Sequence, residues 1–150
     1  MKAEEIVNYL INSKGYSPHI AAGIAGNLEQ ESSLDPTAIN QKSGAMGLGQ
    51  WLGPRKTALQ DFAMNQGTAP TDPYVQLDFL DHELNTTESN AMAKLLLTKS
   101  PAEAATVFSN HYERASHAES NNDRRASLAE KAFNFIMPTA SADGRVLTEE

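Results

Sequence analysis

The sequence predicts a mainly α-helical domain, interrupted once around residues 35–51 by an irregular segment with a short β-hairpin. Three observations predict it. Apolar residues recur at helical spacing along most of the chain, as in Ile6, Tyr9, Leu10 and again in Ile20, Ile24, Leu28. A cap residue followed by proline, a helix-start signal, stands at Ser17-Pro18, Asp72-Pro73 and Ser100-Pro101. Between Asp35 and Trp51 the helical period lapses, and Asp35-Pro36, Gly44, Gly47 and Gly49 read as loops and a tight hairpin.

The elements follow in order. The first helix ends at Gly15, and the second begins at Ser17-Pro18 with serine as cap and proline in the first turn. After the glycine-rich segment a third helix opens at Pro54 and closes by Gly67. A fourth starts at Asp72-Pro73 and runs through Leu77 and Leu84; a weaker fifth covers 88–97. Ser100-Pro101-Ala102-Glu103 reads as a capping box, and its helix carries Val107, Phe108 and Tyr112. The last helix spans Arg124 to Ile136 and stops before Pro138. One domain over residues 1–137, with 138–150 as a flexible tail or linker, is the expected organisation.

Composition excludes several functions. With no cysteine, thiolate metal sites and disulfides are absent, and the core must hold by packing. A net charge of −7 without clustered Lys and Arg argues against binding a phosphate backbone. No apolar run long enough for a membrane span or a secretion signal is visible.

Glu29, Gln30 and Glu31 end the second helix, and helical geometry separates them. At roughly 100° per residue, Glu31 falls about 20° from Ile24 and the apolar stripe, whereas Glu29 is displaced by about 140°. Glu31 is therefore expected to point inward. A carboxyl that loses hydration beside an irregular segment has its pKa raised, the condition a general acid needs. The alternative is structural: an inward glutamate at a helix end bonding to backbone amides of the next loop.

Residues 21–36, with Glu29-Gln30-Glu31-Ser32-Ser33 at their centre, and Gly44-Ala45-Met46-Gly47-Leu48-Gly49-Gln50-Trp51 resemble the phage tail lysozyme family. Gln76-Leu77-Asp78-Phe79-Leu80, His82-Glu83-Leu84 and residues 108–114 resemble that family's later blocks in order and spacing, so the likeness spans about residues 3–136. The resemblance implies a lysozyme-like helical fold and Glu31 as the catalytic acid. It also implies Ser32 at the turn into the cleft, and Gly47, Leu48, Gln50 and Trp51 along the substrate groove. Trp51 has a second reading as core, and Tyr112 faces either the cleft or its own apolar stripe. The second acid of a glycosidase is open between Glu113 and Asp35, and an Asx turn is the simpler reading of Asp35 before proline.

The activity so implied is cleavage of the β-1,4 bond between N-acetylmuramic acid and N-acetylglucosamine in peptidoglycan, without cofactor or metal. The implied setting is a virion tail acting at the bacterial wall, with other tail proteins as partners and synthesis in the host cytoplasm. Two alternatives accompany it: a lytic transglycosylase giving 1,6-anhydro ends, and a catalytically silent wall-binding module. Other constellations carry less. His82-Glu83 lacks the histidine four residues on that a zinc-protease motif needs. His111 and His117 fall on different helix faces, and Arg124-Arg125 reads as the solvated face of the last helix.

Overall fold

The computed structural model describes residues 1–114 and 121–136; the expected tail at 138–150 and His117 lie outside them. Among the described residues, seven α-helices follow the predicted order: α1 (Ala3–Lys14), α2 (Pro18–Ser32), α3 (Pro54–Asn65), α4 (Pro73–Asn85), α5 (Ser89–Leu95), α6 (Pro101–Phe108) and α7 (Asn122–Ile136). A π-helical turn, Ser109–Glu113, continues α6. α5 is shorter than expected at both ends, and α7 begins two residues earlier.

The caps divide in their chemistry. Asp72 accepts from the amides of Tyr74 and Val75, whereas Ser17 caps α2 without a side-chain bond. At α6, Ser100 Oγ accepts from the Glu103 amide, but Glu103 reaches past Ser100 to the Lys99 amide at 2.7 Å. The expected capping box is thus displaced by one residue, because Glu103 can satisfy either preceding donor.

α2 is the axis of the molecule, buried without interruption from Ile20 to Leu28 and packed between α6 and α7. Its small residues make that possible. A Cβ on Gly23 would lie 2.7 Å from Ala104 Cβ, and one on Gly26 would lie 2.6 Å from the Ala129 amide and 2.7 Å from the Arg125 carbonyl. Gly26→Ala should therefore push α7 off α2 and lower unfolding stability by about 1–3 kcal/mol, read in urea denaturation. A change within about 0.5 kcal/mol would mean that the two backbones separate freely.

The segment between α2 and α3 carries only isolated bridges, Ile39 to Met46 and Met46 to Trp51, both antiparallel. Its shape is fixed from outside by Gln76 of α4. That buried amide accepts from the Leu48 amide at 2.8 Å and donates to the carbonyls of Pro36 and Pro70 at 2.9 and 2.8 Å. Gly47, at φ 83°, lies against the same amide, where a Cβ would sit 3.0 Å away.

Candidate active site

At the C-terminal end of α2 the chain leaves the core at Glu31, opposite the bridged loop and the π turn. These elements enclose a polar cleft of about 400 Å³ whose lining includes Glu31, Gln50, Trp51, Arg55 and Glu113. The cleft therefore brings together Glu31 and one of the two candidate second acids.

Glu31 has a side chain 16% exposed, and its Oε2 accepts from Arg125 at 2.8 Å instead of from amides of the following loop. Arg125 corrects the reading of Arg124-Arg125 as a solvated face: Arg124 is exposed, but Arg125 is 1% exposed. Its register on α7 turns it toward α2, where Asn27 and Glu31 supply the polar partners that a buried guanidinium requires. A charged residue at a core register on α7, matched by an Asn one helix turn before an inward-facing Glu on α2, is the signal that the sequence offered for it.

Glu113 owes its place to the π turn. Ser109 O accepts from the Arg114 amide five residues on, so the turn is wider than an α-helical one. In an uninterrupted α-helix Glu113 would lie about 140° from buried Phe108. The wide turn lets Phe108, Tyr112 and Glu113 all face inward. Glu113 Oε2 is buried and has no hydrogen-bond partner. Burial first, and next the negative charge of Glu31, push its pKa well above the ordinary value of 4.5.

That shift makes stability depend on pH. The tighter proton binding in the folded state contributes fully below about pH 4.5, where the unfolded chain also holds the proton, and is lost as pH rises through the folded midpoint. Wild type should therefore lose stability relative to Glu113→Gln on going from pH 4.5 upward, measured as the difference between their urea midpoints at each pH. A difference that stays flat would show that Glu113 titrates as an ordinary surface carboxylate.

Asp35 does not line the cleft. It is exposed in an Asx turn, accepting from the Thr37 amide at 2.8 Å and hydroxyl at 2.7 Å, which together hold its pKa below the ordinary value. Four other expected groove residues also sit elsewhere. Ser32 is buried with its hydroxyl on Leu28 O; Gly47 lies against Gln76; Leu48 and Tyr112 are wholly in the core. Gln76 anchors the loop at Leu48 and so holds Gly47 and Leu48 inward.

Trp51 lines the cleft but is only 2% exposed, too buried to present its ring face to a sugar. Its Nε1 donates to Tyr112 Oη at 2.9 Å and to Glu83 Oε1 at 3.2 Å, and Tyr112 donates to the same carboxylate oxygen at 2.5 Å. Arg55 completes this network, bonding Glu83 through Nε and Nη2 at 2.9 and 2.8 Å and the Tyr112 carbonyl through Nη1 at 2.9 Å. Gln50, at φ 54°, spends its amide on the carbonyls of Gly47 and Ala38. Glu83 and Arg55 escaped the sequence reading because nothing in their local spacing pairs them across 28 positions.

A larger and shallower groove of about 710 Å³ runs between α5 and the π turn. Its carboxylate, Glu88, is tied to Arg114, so it offers no pair of acids. Among the described residues no group of three or more His, Asp or Glu could hold a metal ion, and no helix is long and apolar enough to cross a membrane.

A buried central helix ending in a cleft glutamate, faced by an irregular loop and a second buried carboxyl, is the architecture of a lysozyme-like helical domain. The chain belongs to the phage tail lysozyme family, whose sequence profile matches residues 1–136. No curated protein matches it. Family membership supports a lysozyme-like, peptidoglycan-degrading function, with peptidoglycan as substrate and a virion tail as the setting.

Proposed function

We propose that the protein cleaves the β-1,4 bond between N-acetylmuramic acid and N-acetylglucosamine, with Glu31 protonating the leaving oxygen and Glu113 as the second carboxyl. One observation carries the reading: two glutamates from distant parts of the chain line one polar cleft, and one of them resists ionisation. The charge of Glu31 opposes ionisation of Glu113, so the cleft keeps a proton above the ordinary carboxylate range. A sugar seated over Glu31 displaces the remaining water from it and favours the protonated acid at the glycosidic oxygen. Glu113, ionised once the proton resides on Glu31, serves as base or nucleophile on the other side of the bond.

The resting proton on Glu113 favours a second assignment with the roles exchanged, Glu113 donating and Glu31 acting as base beside Arg125. The proposed setting is local opening of the wall by a virion tail, alongside other tail proteins and without metal or cofactor.

Mass spectrometry of the products from purified peptidoglycan tests the reading. Reducing muramic ends from wild type, lost in Glu113→Gln, are the expected result. Anhydro ends would identify a lytic transglycosylase, which needs no second acid. No soluble product from folded wild type, on walls of several chemotypes, would overturn the enzyme reading and leave a wall-binding module.

A further inference from the structure

We infer that Arg125 is a positioning residue, which, braced from the core by Asn27, fixes the Glu31 carboxylate at the cleft. The inference rests on the proposed role of Glu31. Asn27 is wholly buried, and its Nδ2 donates to the carbonyls of Gly23 and Ala105, both at 2.9 Å. With both amide protons so used, its Oδ1 must be the atom that meets Arg125, at 2.8 Å from Nη1.

The guanidinium is thus aimed from inside the protein. Its Nη2 then reaches Glu31 Oε2 at 2.8 Å. Oε2 is engaged, and Oε1 is left for substrate. Three helices contribute to this line of contacts: the Ala105 carbonyl on α6, Asn27 and Glu31 on α2, and Arg125 on α7. The close α2–α7 approach at Gly26 holds the two ends at a fixed spacing.

The chemistry calls for arginine at this position. Its planar fork can bond two acceptors on different residues at once, whereas a lysine ammonium on a flexible stem meets them as a point charge. A misplacement on the order of 1 Å in a reacting group costs about 10²-fold in rate. The same guanidinium also lowers the proton affinity of Glu113, so its removal reaches the second carboxyl as well.

Arg125→Lys and Arg125→Met test this in the full chain, with Glu31→Gln alongside, by steady-state release of soluble fragments from purified peptidoglycan. Both variants should lose about 10²-fold in kcat with KM within about threefold of wild type. In Arg125→Met the carboxyl carbon of Glu113, followed by NMR, should titrate at higher pH than in wild type. A purely structural role would lower the amount of folded enzyme and leave the kcat per folded molecule unchanged. Arg125→Lys keeps charge and length and serves if Arg125→Met does not fold. Wild-type kcat in either folded variant, with Glu31→Gln inactive, would overturn the positioning role alone. Wild-type kcat in Glu31→Gln would instead remove the reading of Glu31, and with it this inference.

Discussion

Glu31→Gln should slow release of soluble fragments from purified peptidoglycan by about 10²–10⁴-fold, the usual contribution of a general acid. The amide keeps the size of the side chain and can still accept from Arg125, whose Nη2 lies 2.8 Å from Oε2. Folding should therefore survive, and the loss should appear in kcat. Glu29→Gln, two positions back on α2 and outside the cleft lining, should keep the wild-type rate. Azide separates the two carboxyl assignments. A small anion replaces a missing base or nucleophile and cannot replace a missing proton donor. Turnover restored by azide in Glu113→Gln and not in Glu31→Gln is the expected pattern, and the reverse would exchange the roles.

Glu83→Ala should cost about 3–5 kcal/mol of stability, the penalty for breaking a buried ion pair by removing one partner. Glu83 is 4% exposed and receives four donors: Arg55 Nε and Nη2, Trp51 Nε1 and Tyr112 Oη. Its removal leaves a guanidinium whose side chain is 24% exposed without its carboxylate, and an indole N–H that keeps Tyr112 alone. Since Arg55 and Trp51 also line the cleft, the damage should extend to activity, and urea denaturation followed through Trp51 fluorescence reports the stability part. A loss below about 1 kcal/mol would show that water replaces Glu83 at little expense.

The helices were legible because each depends on neighbours in sequence. Cap, proline and apolar period all act within a few residues, which is why α2, α4 and α6 begin where Ser17, Asp72 and Ser100 indicate. Glu31 was legible for the same reason, as a question of angle along one helix. The rest of the site depends on partners far apart in the chain. Arg125 reads locally as a surface charge beside Arg124, and only the approach of α7 to α2 makes it a core residue bonded 94 positions away. Trp51, Leu48 and Tyr112 were expected near sugar because apolar groups in a loop or stripe suit either a groove or a core. The choice fell to Gln76 and Glu83, which pull those groups inward through bonds spanning 28 to 32 residues.

The wide turn at Ser109–Glu113 acts as a phase shifter. A substitution changes what a helical position carries, whereas one residue gained or lost changes where every later position points, by roughly 100°. Wound as an unbroken α-helix, the same residues would swing the carboxyl of Glu113 off the cleft, about 140° from Phe108, without altering a single cleft side chain. The composition of this active site is therefore written partly in the width of one turn. At the end of α6 it is the number of residues per turn, as much as their identity, that decides whether Glu31 has a companion.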